Sequence, residues 1–462
     1  MNVSETPGLT DRVADHLAAA DFAALSGADV ARAKQRLLDS IGNIAAGAQA
    51  AGSAEVLGLV RRWGGAAEAT PLTAAERVPA LHAAFANAVL MRSYDFEAIG
   101  ADSPGGAQIP SHITGTTVSV ALAVAEARRR SGREMLTALV YGDDLAARLG
   151  HATGFDVYGG GDNTGTINAL GATATAGLLL GLDQRQLRDA LGLAVNQLGG
   201  TIANVFDKVL AFKLPIALSA RNAVFSAELA ATGFSGPEDA LGGPFGYLRR
   251  YGKDSDPAKV TDRLGLDFYA DAVIKPWPSC RASHPTLDGV LRIVSEHDIA
   301  ADDVERVLLH VTPRTKAGFV GQPFAVGDSP EVSGAFSILF TAATALLDRT
   351  LELRHMGEPH MSDPRLAEMM SRVELVDSLP PDEILTAEVE LRTRDGEHYR
   401  VRVDHPLGDL HVNPLGDERV EAKFRSNIEW GGLPEDRADR LIELIDGFEA
   451  LDDVSEIARL LA

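Results

Sequence analysis

The segment Lys275-Pro276-Trp277-Pro278-Ser279-Cys280-Arg281-Ala282-Ser283-His284 gathers three basic side chains in a chain of formal charge −22. Its prolines hold the backbone extended. A guanidinium presents a planar fork to a carboxylate, and an ammonium offers a compact charge. A histidine beside them exchanges protons near neutral pH. Such a segment builds either a pocket for an anionic substrate, with Lys275, Arg281 and His284 inside it, or a rigid connector whose cations pair with surface carboxylates. Cys280 lies among these cations, which favour thiolate; a packed thiol is the plainer expectation.

Three other places carry residues able to do chemistry. His112 stands before a long apolar helix, and Asp95, in Arg92-Ser93-Tyr94-Asp95-Phe96-Glu97, is placed to orient it for proton transfer. The alternative for both is an ordinary helix start and a loop carboxylate. The loop Gly159-Gly160-Gly161-Asp162-Asn163-Thr164-Gly165-Thr166-Ile167-Asn168 leads into a second apolar helix, so Asp162 and Thr164 either face substrate or sit on a surface loop. Its glycine spacing is not that of a dinucleotide site. Lys208 and Lys213 lie in apolar surroundings, as a base, as an anion clamp, or as lysines reaching out to water. No Gly-x-Ser-x-Gly elbow or phosphate loop is found. His355 and His360 lack a third ligand nearby in sequence, so zinc is not expected, and Asp143-Asp144 reads as a helix-surface pair.

The acidic balance, 65 Asp and Glu against 43 Lys and Arg, argues against nucleic acid and anionic membranes as partners. A single cysteine excludes an intrachain disulfide and fits a reducing compartment. The N-terminal stretch has acidic residues and no apolar core, unlike a signal peptide, so a cytoplasmic location is expected.

These side chains need a frame. Apolar spacing predicts helices over 28–47, 117–130, 134–150 (ending at Gly150), 171–182 and 219–231, and an apolar helix over 331–351. Small uncharged residues in 171–182 predict a helix buried on all sides. Period-two runs on either side of Asp395-Gly396 predict a hairpin over 387–403, and Val307, Leu309 and Val311 alternate as in a strand. Leu441, Ile442, Leu444, Ile445 and Phe448 form a closing helical stripe. The expected fold is mostly α with an α+β insertion: residues 1–270 and 405–462 as a discontinuous helical domain, 271–404 as a smaller α+β lid.

The ordered blocks resemble the MmgE/PrpD superfamily. They run from Leu37-Leu38-Asp39-Ser40-Ile41-Gly42 through Tyr94-Asp95-Phe96, His112, Thr164-Gly165-Thr166 and Lys275-Pro276-Trp277-Pro278-Ser279-Cys280-Arg281 to Asn413-Pro414. The resemblance implies a homodimer without metal or organic cofactor, acting on small carboxylates by proton transfer next to a carboxylate. It implies that Asp95, His112 and Lys275 are active-site residues, with Arg281 and His284 binding carboxylate or shuttling protons. The family's His-Pro-Thr-Gly-Thr reads Asp162-Asn163-Thr164-Gly165-Thr166 here, so a cation or proton donor gives way to a carboxylate. Asp162 then becomes a second acid/base or an amine contact, with Lys213, Cys280 and Thr164 as further substrate contacts. The expected activity is a dehydratase-like lyase on a hydroxy- or unsaturated carboxylic acid. The alternatives are an epimerase of an amino or imino dicarboxylate, a decarboxylase, or a non-catalytic binding protein.

Overall fold

In the computed structural model, residues 7–106, 109 and 111–461 are described. The first six residues and positions 107, 108 and 110, in the loop before His112, lie outside the described residues.

The helix Gly27–Gly47 begins at Ser26, whose hydroxyl accepts from the Asp29 amide while the Asp29 carboxylate takes the Ser26 amide. This reciprocal cap fixes the start. Beyond it Leu37, Ile41 and Ile44 are fully buried, against the helices Ala80–Arg92 and Asp417–Trp430. At the centre runs Ile167–Leu180, flanked by Ile113–Arg128, Gly132–Thr153 and Leu214–Ala231. Its small residues serve close approach: a Cβ on Gly171 would meet the Gly142 carbonyl at 2.5 Å, so no larger residue fits that crossing. The helix expected to end at Gly150 continues to Thr153 and stops at Gly154, where φ reaches +61° and glycine is at ease.

The α+β lid is a four-stranded sheet, in order β2-β1-β3-β4, built from β1 (Val304–His310), β2 (Val373–Val376), β3 (Ala387–Thr393) and β4 (His398–Val403). β1 pairs parallel to β2 and antiparallel to β3. The expected hairpin is present, with Ala387 opposite Val403 and Arg392 opposite His398. The helices His284–Glu296 and Ile338–Asp348 share its core through Leu287, Val290, Phe340, Val307 and Val389. The single helix expected over 331–351 is broken: Pro330–Ala335 ends before Phe336, and Ser337 restarts the chain by capping the Phe340 amide at 3.2 Å.

Phe424, Ile428, Leu441 and Ile445, late in the chain, share one core with Leu37 and Ile41. Asp143 and Asp144 are not on the surface; each is 1% exposed. Thr117 donates to Asp143 at 2.5 Å, and Arg148 donates to Asp144 at 2.7 Å. Both point inward because partners on other turns and helices, Arg36 included at 3.6 Å, match their charge. Among the described residues no helix is long and apolar enough to cross a membrane.

Candidate active site

The site forms where the segment after the helix Ala80–Arg92 runs beside the approach to the Pro-rich loop. Ile99 and Val273 pair through both amides, at 3.0 and 2.8 Å, and Asp102 adds a third bond to the Asp271 carbonyl. This short ladder carries Lys275 up to the turn that holds Asp95. The amide of Gly100 donates to the Ser111 carbonyl at 3.2 Å, bringing His112 to the same place. Asp95 itself has φ +50°, a left-handed conformation that aspartate tolerates better than most residues.

Five buried side chains meet there. Arg92 Nη1 donates to Asp95 Oδ1 at 2.5 Å and to Glu97 Oε1. Lys275 Nζ donates to the Asp95 carbonyl and, at 2.8 Å, to its carboxylate. His112 Nδ1 lies 2.9 Å from Glu97 Oε1. A carboxylate can only accept, so the ring proton belongs on Nδ1, and the lone pair left on Nε2 faces Arg92 Nη1 at 3.4 Å. Asp95 was expected to orient His112; Glu97 does so instead, because Asp95 is turned to Lys275 and Arg92. In the sequence Arg92 and Glu97 stand only as neighbours of Asp95. Their signal was an arginine at a helix end with carboxylates three and five residues on. The ring of Phe212 lies 4.1 Å from the Arg92 guanidinium, adding a cation–π contact in a dry setting.

Burial, then the Arg92 cation, holds the His112 pKa below its ordinary 6.5, although Glu97 opposes the shift. The ring is neutral at pH 7. Burial alone would raise Glu97, but Arg92, His112 and Lys275 overcome it and keep the carboxylate ionised. The Cys280 thiol is pushed up to about 12 by burial and then by Asp95, so it stays protonated.

The other expected site residues sit around this cluster or apart from it. Asp162 is buried and acts on Arg92 through its charge, while its Oδ1 accepts from the amide and hydroxyl of Thr164 at 2.9 and 2.7 Å. The same segment touches His112 directly: Asn168 donates to the His112 carbonyl. Arg281 is turned away from the cluster, donating to the Leu407 and Pro406 carbonyls at 2.6 and 3.2 Å. His284 takes a hydrogen bond from Arg281 at 3.1 Å and faces the Ser279 carbonyl at 3.2 Å. Burial, with Arg281 and Lys275 nearby, holds its pKa well below 6.5. Both therefore brace the Pro-rich loop against residues 406–407. Lys213 donates to the Ala51 carbonyl at 2.6 Å, and burial brings its pKa down to about 8 despite Glu331. Lys208 is only partly buried, and burial lowers its pKa too.

Ligand atoms of Asp95, Glu97 and His112 lie within 4.8 Å of one another, a spacing a divalent ion can use. Arg92 and Lys275 already hold those carboxylates, so an ion there would face two like charges. The fold also supplies the third group that the sequence did not show beside His355 and His360. Asp348 lies 3.3 Å from His355 Nε2 and 3.9 Å from His360 Nδ1. The Glu352 amide donates to His355 Nδ1 at 2.9 Å and Arg354 Nε donates to His355 Nε2 at 3.3 Å, so both ring nitrogens already face donors.

A helical body under an α+β lid, with a histidine–carboxylate pair and two buried cations where their chain segments meet, has the parts of an enzyme that moves protons. Two family models match most of the chain. The MmgE/PrpD N-terminal domain matches residues 11–259 and the MmgE/PrpD C-terminal domain matches 277–450. The chain belongs to the MmgE/PrpD family, and that membership makes it an enzyme of the lyase class. It is 28% identical over 403 residues to a cis-aconitate decarboxylase of Homo sapiens, covering 83% of this chain and 80% of that one. A cis-aconitate decarboxylase of Aspergillus terreus is 23% identical over 354 residues, with 72% and 71% covered. The cis-aconitate decarboxylase-like protein oryM of Aspergillus oryzae is 24% identical over 436 residues, with 89% and 85% covered.

Proposed function

We propose that the protein is a cofactor-independent lyase for a small carboxylic acid and that its leading reaction is decarboxylation. The observation carrying this reading is the buried contact of His112 with Glu97 beside the Lys275–Asp95–Arg92 cluster. The choice of decarboxylation over dehydration rests on the relatives, which are named for that reaction. In this reaction the bond to the departing carboxylate breaks and carbon dioxide leaves. The electron pair passes into the remaining unsaturated acid as carboxylate-enolate charge. Lys275 and Arg92 lie where they can stabilise that charge in a water-poor site. His112, neutral at rest, first takes a proton from solvent on Nε2 and then delivers it to the carbon.

Elimination of water is the second reading, supported by one observation: His112 is neutral, with a lone pair on Nε2, and so is ready as a base. It would take the proton beside the carboxylate and return it to the departing hydroxyl, which leaves as water. A homodimer, a cytoplasmic location and the division at residues 271–404 belong to the same proposal.

The test is proton NMR of the purified protein in heavy water with a panel of small unsaturated, hydroxy and amino acids. Loss of one carbon with deuterium in the product supports decarboxylation. A new alkene signal without carbon loss supports dehydration, and exchange alone supports epimerisation. No reaction with any acid would sink the catalytic reading.

A further inference from the structure

The cations of the cluster are already matched. Arg92 contacts Asp95 and Glu97, and Lys275 contacts Asp95. Asp162, buried on the segment whose Asn168 donates to the His112 carbonyl, adds a third negative charge in the field of Arg92. The next buried lysine, Lys423, pairs with Asp39 at 2.6 Å. Three carboxylates thus face two cations around a neutral histidine, where burial leaves little water to screen them. A substrate that brings several carboxylates adds like charge to this balance. The site also holds two buried polar atoms without a partner, Glu97 Oε2 and Arg92 Nε. One can only accept a hydrogen bond and the other can only donate. Together they suit a molecule that carries a donor beside a carboxylate.

We infer that the site selects a small carboxylic acid of net charge no more negative than −1, with a hydroxyl or ammonium donor next to the carboxylate. This rests on the cluster being the substrate site, as proposed above, and narrows it to a substrate class. Asp162 is the specificity-determining residue, because its carboxylate is the one left over after the ion pairs are counted. A hydroxy monoacid and an amino diacid both meet the requirement, and both suit the elimination reading, since neither is an unsaturated acid able to hold the charge left by decarboxylation. The first brings one charge and a neutral donor; the second offsets one of two carboxylates with its ammonium group.

Calorimetric binding to the full chain tests this with lactate, aminosuccinate, hydroxysuccinate and cis-aconitate, compared with the Asp162→Asn variant. Asparagine keeps the cap on the Thr164 amide, and a melting curve checks that the variant folds. Lactate or aminosuccinate should bind at least ten-fold tighter than cis-aconitate. Lactate alone would mark the neutral donor as the source of selectivity, and aminosuccinate alone the ammonium. In Asp162→Asn the disadvantage of cis-aconitate should shrink by about ten-fold. Equal or tighter binding of cis-aconitate by the unaltered protein would overturn the inference, as would no binding of any acid or no change of selectivity in the variant. Binding in the expected order without turnover would support the charge selection while refuting catalysis. Turnover with cis-aconitate preferred would do the reverse.

Discussion

Glu97 Oε1 stands 2.9 Å from His112 Nδ1, and this contact decides which ring nitrogen works. A buried imidazole without an acceptor on Nδ1 can place its proton on either nitrogen. With Glu97 in place, Nε2 holds the lone pair. Glu97→Gln presents an amide that can turn its NH2 to the ring and favour the other tautomer. Turnover should fall on the order of 100-fold or more, with substrate affinity changed far less. Steady-state kinetics reads both.

The pH profile gives the direction of proton transfer. Burial and Arg92 set the His112 pKa below 6.5. As an acid in decarboxylation, His112 must be protonated, so kcat falls as pH rises through that lowered pKa. As a base in dehydration it must be neutral, so kcat rises through the same pKa. In both cases the limb lies on the acid side of an ordinary histidine, and rates measured across pH 4 to 8 tell the two apart.

Lys275 and Asp95 are both almost fully buried, at 0% and 2% exposure. Removing Lys275 leaves Asp95 with Arg92 alone to match its charge, which costs up to about 3–5 kcal/mol. Lys275→Met should lower stability by that order in denaturant titration. Combining it with Asp95→Asn should recover much of the stability and none of the turnover.

Asp143 has a pKa raised from 3.8 to about 6, burial being the larger cause and Arg36 opposing it. The folded state therefore holds its proton more tightly than the unfolded chain does. The stability this proton confers is complete below pH 3.8 and is lost as pH rises through about 6. Asp143→Asn removes this dependence. Relative to the unaltered protein, it should gain about 2–3 kcal/mol across that window, as measured by urea unfolding at a series of pH values.

Arg281 holds the Pro406 and Leu407 carbonyls and the His284 ring. Arg281→Gln should cost about 2–4 kcal/mol of stability, from lost hydrogen bonds to a charged group. Its effect on turnover per folded molecule should be much smaller than that of Glu97→Gln.

The frame was largely legible in the sequence. The hairpin at Asp395-Gly396 and the buried small-residue helix follow from local spacing, and the structure contains both. Asp95, His112 and Lys275 stood out by residue type, and the fold brings them together. What escaped was partnership across distance. The role of Arg281 depends on carbonyls at 406–407, and the burial of Asp143 depends on Arg36 from another helix. Glu97 was in view beside Asp95, but nothing in the linear order says which carboxylate faces the histidine. That is settled by the turn at Asp95 and by the Ile99–Val273 ladder, which brings Lys275 to Asp95 and leaves Glu97 for the ring.

Deuterium incorporation by the His112→Gln variant tests the central claim most directly. With a substrate found in the acid panel, the unaltered protein in heavy water should place deuterium in its product or exchange it into substrate. His112→Gln, folded by its melting curve, should lose this by at least 100-fold. Deuterium transfer undiminished in His112→Gln would contradict the assignment of His112 as the group that moves the proton.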